Sequence, residues 1–228
     1  IRTEYPALCS FEPIYFHGPE GHLNGVSVRE YRFRLGRRLA LESPVEKDSI
    51  IVSVPRSADD FADGFAAGAG CERVQALEVR PEAARTFIEN AVSRQEMIRR
   101  KYRLHPEQVR GQTVTLVDDS LVRGATMRYL TAMLREAGAR SVHVRIGSPP
   151  FRFPCYYGIN VPDVSELAAH AMAPEEIARE LGLDSLQFLS VQGLRAVLGD
   201  GICTGCFSGR YPEEHRAEED QLLAVATR

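Results

Sequence analysis

The feature that most constrains this chain is one uninterrupted run, residues 114 to 126. Val114-Thr115-Leu116-Val117 is apolar and rich in β-branched residues, and it leads directly into Asp118-Asp119-Ser120-Leu121-Val122-Arg123-Gly124-Ala125-Thr126. A strand buried in a parallel sheet reads this way, and ligands in open α/β sheets bind outside the carboxyl ends of such strands. Two carboxylates at that point can accept hydrogen bonds from a ribose diol or reach a divalent cation. The turn after them offers backbone N–H groups and the Ser120 and Thr126 hydroxyls to a phosphate. A helix starting near Ala125 adds its positive end. Gly124 allows a backbone geometry that a Cβ would obstruct. No lysine follows Gly124, so this is not the G-x-x-x-x-G-K-[ST] loop of nucleotide-binding folds. One acid suffices to cap a helix; two adjacent acids followed by Ser, Arg, Gly and Thr point to a ligand.

The rest of the chain alternates strand-like and helix-like segments. Ser49 to Val54 reads as a buried parallel strand and Ser141 to Ile146 as another, with shorter ones at Val74 to Val79, Leu186 to Leu189 and Pro13 to Phe16. Helical spacing runs through Val28, Tyr31, Leu35 and Leu39, with Ser27 as cap. Further helices are expected over Asp59–Ala69, Asn90–Arg100, the segment bearing Tyr129, Leu130, Met133 and Leu134 and stopping at Gly138, Pro174–Leu181, and Val191–Leu198. Arg80 to Ile88, with Pro81, reads as a loop. The expected fold is α/β, a mostly parallel sheet flanked by helices. Residues 1–24 read as a leading segment, 25–212 as one domain and 213–228 as a charged tail.

Bulk properties exclude some functions. With 228 residues the chain can bury one good core. A net charge of -3 gives no electrostatic case for nucleic acid or an anionic membrane. The basic group Arg99, Arg100, Lys101 and Arg103 reads as a solvated helix end. No apolar run approaches the roughly 20 residues needed to span a bilayer. Five cysteines, an odd number, with no secretion signal argue against a disulfide framework and for a reducing cytoplasm. Cys203-x-x-Cys206 alone reads equally as a zinc pair, a redox pair or chance.

Val117 to Thr126 resembles the 5-phosphoribosyl-1-pyrophosphate (PRPP) loop of type I phosphoribosyltransferases, and more narrowly that of the glutamine PRPP amidotransferases of purine synthesis. The similarity extends over roughly residues 8 to 212. It includes Leu134-Arg135-Glu136-Ala137-Gly138-Ala139, Ser148-Pro149-Pro150, Pro154-Cys155-Tyr156-Tyr157-Gly158-Ile159 and Cys203-Thr204-Gly205-Cys206-Phe207-Ser208-Gly209. The resemblance implies that ammonia displaces pyrophosphate from PRPP, giving 5-phosphoribosylamine. It implies that Asp118 and Asp119 hold the ribose hydroxyls and Mg2+, that Ser120, Leu121, Val122, Arg123, Gly124, Ala125 and Thr126 hold the 5′-phosphate, and that Ser57 adds a magnesium-site hydroxyl. Read without the resemblance, Ser57 would be a helix cap. Arg85, in Arg85-Thr86-Phe87-Ile88, falls in the family's mobile loop, where an arginine can meet pyrophosphate; Arg80 is a second candidate. Some relatives hold a [4Fe–4S] cluster, and Cys9, Cys155, Cys203 and Cys206 match its four ligand positions, leaving Cys71 as a small apolar residue.

The sequence also departs from the family. Its glutaminase half has no counterpart here, and Ile1 is not the family's N-terminal cysteine nucleophile, so free ammonia or a separate glutaminase subunit is expected. Where the family reads Val-Pro-Asp-Ser-Gly, this chain has Val54-Pro55-Arg56-Ser57-Ala58. Arg56 either binds pyrophosphate or marks altered chemistry, and Ala58 restricts the backbone if that position needs positive φ. Glu78-Val79-Arg80-Pro81 replaces Lys-Asn-Arg-Tyr. Two further readings follow: a phosphoribosyltransferase using another nucleophile in a secondary pathway, and a non-catalytic phosphoribosyl-binding scaffold or regulator. The family also implies a homo-oligomer.

Overall fold

A computed structural model describes residues 7–80, 98, 100–158 and 164–212. Arg85, most of the expected 90–100 helix and the charged tail lie outside the described residues. In chain order the elements are β1 (Leu8–Cys9), a π-helical turn (Glu12–Phe16), β2 (His22–Leu23), β3 (Val26–Ser27), α1 (Val28–Glu42), β4 (Ile50–Ser53) and α2 (Asp59–Ala69). They continue with β5 (Leu77–Val79), β6 (Tyr102–Leu104), α3 (Pro106–Val109), β7 (Thr113–Asp118), α4 (Ala125–Glu136) and β8 (Ser141–Ile146). The last are α5 (Ala168–Ala171), α6 (Pro174–Leu181), β9 (Ser185–Phe188), α7 (Val191–Leu198), β10 (Ile202–Cys203) and α8 (Gly205–Ser208).

The central sheet has the order β4-β7-β8-β9, and every pairing in it is parallel. Alternation along β7 explains its two-sided burial. Val114 and Leu116 face one apolar cluster, built with Leu130 and Leu134 of α4 and Ile177 and Leu181 of α6. Val117 faces the other, built with Leu35 and Leu39 of α1 and Phe61 and Phe65 of α2. Thr115 on that second face is buried, and its hydroxyl pairs with Ser49 Oγ at 2.7 Å. The α/β expectation therefore holds, with helices on both faces of a parallel sheet.

Ser27 does cap α1, accepting from the Glu30 N–H at 3.2 Å. Helices α1 and α2 cross in backbone contact. A Cβ on Gly36 would stand 2.0 Å from the Phe61 carbonyl oxygen, and one on Gly64 1.9 Å from that of Phe33.

Two expected strands differ. Pro13 to Phe16 forms the π turn instead, with Pro near its start and the His17 N–H bonded to Glu12 O at 2.9 Å. The physical reason is tertiary: the Arg32 side chain of α1 donates to Pro13 O and His17 O, so those carbonyls are not available for a strand ladder. Of Val74 to Val79 only Leu77–Val79 is a strand, antiparallel to β6. Arg73 and Val74 instead follow the free edge of β4 through a single bridge at Ile51.

Candidate active site

The carboxyl ends of β4 and β7 open into a cleft of about 530 Å3. Strand β7 delivers Asp118 and Asp119 to its floor. Asp119 is 3% exposed; one of its carboxylate oxygens accepts from Ser120 Oγ at 2.6 Å, while the buried Oδ2 has no partner. Asp118 Oδ1 accepts the Asp119 N–H at 2.9 Å. Burial, reinforced for Asp118 by the adjacent Asp119 charge, pushes both carboxyls above the ordinary aspartate range. The Ser120 and Ser57 hydroxyls and the positive charges of Arg32 and Lys101 pull Asp119 the other way. Two adjoining acids that resist ionisation, one with an orphaned buried oxygen, are suited to a cation or to sugar hydroxyls. This donor set fits magnesium completed by waters and pyrophosphate oxygens.

The turn after Asp119 is held from both sides. Leu121 is buried in the first apolar cluster, and the Val122 carbonyl accepts the Ala168 N–H at 2.9 Å. Gly124 sits at φ +75 as the residue before α4, and an added Cβ would meet Leu181 at 3.2 Å. Ser120 through Met127 line the cleft, so the unpaired N–H groups of the first turn of α4 are available to an anion there. Arg123 lines it too and is paired with Glu166.

From β4, Val54 and Ser57 line the cleft. The residue before α2 is Ala58, with no side-chain cap, so Ser57 is not the cap of that helix. Ala58 has φ -99, a conformation open to alanine, so the replaced glycine imposes no strain here. Arg56 is exposed and, unlike Ser57, is not among the residues lining the cleft.

The sequence reading missed several lining residues. Lys101, at the exposed helix end that its basic neighbours suggest, also lines the cleft, and its charge acts on both aspartates. The β5–β6 hairpin brings it there through the pairing of Val79 with Tyr102, and Tyr102 is itself buried in the lining. Arg80 is tied into the same hairpin, its Nε donating to Tyr102 O at 3.2 Å. An aromatic wall of Phe11, Tyr15, Phe16 and Phe151 also lines the cleft. No spacing rule would have grouped them; the only signal was the density of aromatics between residues 11 and 16.

Four cysteines gather beside the second apolar cluster. Cys9 and Cys203 are direct partners in the parallel β1–β10 pair. Cys206, on α8, is buried; burial first, then the nearness of Cys9, Cys203 and Cys155, pushes its thiol well up. Cys71 lies apart, with its thiol near the Glu46 and Ala69 carbonyls. Among the described residues, no three His, Cys, Asp or Glu side chains stand in metal-holding geometry. Nor is any described helix long and apolar enough to cross a membrane.

No family profile matches the sequence. Comparison with individual proteins is decisive. The chain is 46% identical to an amidophosphoribosyltransferase of Pyrococcus horikoshii over 213 residues, 93% of this chain and 47% of that protein. It superposes with a TM-score of 0.82 and 41% identity on the Bacillus subtilis glutamine PRPP amidotransferase solved with ADP and GMP, covering 91% of this chain and 47% of that one. The chain belongs to the amidophosphoribosyltransferase family. It corresponds to the phosphoribosyltransferase half of these enzymes and spans about half the length of the curated relatives it matches. An amidophosphoribosyltransferase of Archaeoglobus fulgidus is 42% identical over 96% of this chain and 49% of its own length.

Proposed function

We propose that this amidophosphoribosyltransferase-type domain binds PRPP with magnesium and transfers the phosphoribosyl group to ammonia. One observation carries the reading. Asp118 and the partnerless buried oxygen of Asp119 lie at the carboxyl end of β7, continuous with an anion-ready helix start and under the charge of Lys101. A ribose 5-phosphate needs that succession of hydroxyl acceptors and phosphate donors.

The nitrogen of ammonia attacks C1, the C1–O bond to pyrophosphate breaks with its electron pair, and the nitrogen then loses a proton. Catalysis by this chain is positioning and charge stabilisation. Asp118 and Asp119 orient the ribose diol, and in their ionised form, which the charge of Lys101 favours, they stabilise the cationic sugar of the transition state. Ser120 to Thr126 fix the 5′-phosphate, while Ser57 and Lys101 meet the pyrophosphate side; Arg56 and Arg85 are further candidates there. Magnesium, held by Asp118, Asp119 and Ser57, would neutralise the leaving group.

Cys9, Cys155, Cys203 and Cys206 are the proposed ligands of a [4Fe–4S] cluster. Its support is their donor chemistry and mutual nearness, and its role would be structural, tying both ends of the chain to the body. Ammonia would come from solution or from a glutaminase partner, in a homo-oligomer in the cytoplasm.

The test is pyrophosphate release from PRPP with magnesium and ammonium, on anaerobically purified protein. Release that depends on ammonium and disappears in an Asp118→Asn/Asp119→Asn control is expected. PRPP binding without release would sink the transfer reading and leave a binding scaffold.

A further inference from the structure

The aromatic wall of the cleft hangs from one side chain. Arg32, on α1, is 3% exposed. Its Nε donates to Pro13 O at 2.9 Å and its Nη2 to His17 O at 2.7 Å, so it grips the π turn at both ends. The neighbouring Asp60 carboxylate is paired with Arg29, at 3.1 Å. Burial lowers the pKa of the Arg32 guanidinium, and the charges of Asp119 and Asp60 only partly offset this. Burying a cation against carbonyls is a costly way to stabilise a fold, since an apolar side chain of similar size would fill the space.

The geometry gives the cost a purpose. Phe11 lies at the start of the π turn, and Tyr15 and Phe16 close it. Phe11 stacks on Tyr15 at 5.6 Å and meets Phe16 edge-on at 5.2 Å and Phe151 edge-on at 4.8 Å. Tyr15 and Phe16 are each 52% exposed, so core packing holds the outer part of the wall weakly. The two Arg32 bonds fix its backbone instead.

We infer that Arg32 is a positioning residue, which holds Phe11, Tyr15 and Phe16 as a wall that keeps water from the reacting sugar carbon. The inference rests on the phosphoribosyl-transfer reading. When the wall is displaced, water takes the place of ammonia. The C1–O bond to pyrophosphate breaks as before, water forms the new bond to C1 and loses a proton, and the products are ribose 5-phosphate and pyrophosphate.

Arg32→Lys keeps the charge but cannot span both carbonyls; Arg32→Gln removes the charge. Two readouts are needed. The first is the share of pyrophosphate released without ammonium. It is expected to rise about threefold or more in Arg32→Lys, with PRPP affinity changed less than about twofold. The second does not depend on turnover. The chain has no tryptophan, so Phe16→Trp places a single indole on the wall. Acrylamide quenching of that indole is expected to rise about twofold when Arg32→Lys is added. A parent protein that releases no pyrophosphate would defeat the transfer reading, and quenching would then decide the positioning role alone. Unchanged quenching overturns the role of Arg32 in holding the wall. Raised quenching with an unchanged water share overturns its role in excluding water. Should Arg32→Gln fail to fold, Arg32→Lys carries both measurements.

Discussion

The two walls of the cleft are built in opposite ways. The phosphate-type wall, Asp118 to Thr126, is one contiguous stretch whose shape follows from a strand, a glycine at positive φ and a helix start. The aromatic wall joins Phe11, Tyr15 and Phe16 to Phe151 across much of the chain, and Arg32 and edge-on ring contacts hold it. The difference separates two design problems. Binding a charged, invariant group such as a phosphate can be written locally, because backbone N–H groups and a helix dipole supply the donors. Excluding water from a reacting carbon requires surfaces from distant parts of the fold to meet, and no local motif encodes that.

Mutations can break this comparison, beginning with the largest effect. Asp119→Asn strikes the local wall and should lower PRPP turnover by about 100- to 1,000-fold. It should also stabilise the fold. Burial raises the folded pKa of this carboxyl, so below the unfolded value of 3.8 both states are protonated and no penalty exists. As pH rises past that value the unfolded chain ionises first, and stability falls until the folded group ionises. The variant should therefore be more stable than the parent at pH 8 and no different at pH 3, by urea unfolding at each pH.

Gly36→Ala strikes the platform of the distant wall, forcing α1 away from the Phe61 carbonyl. A loss of about 3 kcal/mol is expected in urea unfolding. A loss below about 1 kcal/mol would mean that α1 can slide without disturbing the wall. Gly124→Ala, back in the local wall, should cost about 1–2 kcal/mol for the left-handed conformation. Calorimetric titration should show weakened PRPP binding, because the turn cannot keep its shape. Ser27→Ala removes the cap of α1 and should cost about 1 kcal/mol in thermal unfolding, leaving PRPP affinity unchanged.

The same contrast explains what was legible in the sequence. Strands β4, β7 and β8 and helices α2, α4, α6 and α7 are legible because breakers such as Pro55, Gly138 and Pro174 bound β-branched or Ala- and Leu-rich runs. Helices α2 and α7 run over the residues expected, Asp59–Ala69 and Val191–Leu198, and β9 is displaced by one residue. Asp118, Asp119 and the turn after them could be placed from residue types alone. Lys101 could not: it stands at an exposed helix end, as its composition suggests, and only the pairing of the adjacent Tyr102 with Val79 brings that end to the cleft. The π turn was read as a strand because Ile14, Tyr15 and Phe16 suit one; the deciding partner, Arg32, lies on another element. The nearness of the cysteines came from family resemblance, since spacing alone cannot bring Cys9 to Cys203.

That last contact fixes an order of assembly. Ser10 Oγ donates to Cys203 O at 2.6 Å across 193 residues of sequence, and Leu8 and Cys9 pair with Ile202 and Cys203. The π turn begins immediately beyond, at Glu12. During synthesis the phosphate-type wall can form once α4, β8 and the segment bearing Ala168 have emerged. The segment that leads into the aromatic wall must wait for β10, the longest closure among the described strand pairs. Until then Arg32 alone ties down the turn that carries Tyr15 and Phe16, and the segment before it is the last neighbour of the cleft to be fixed.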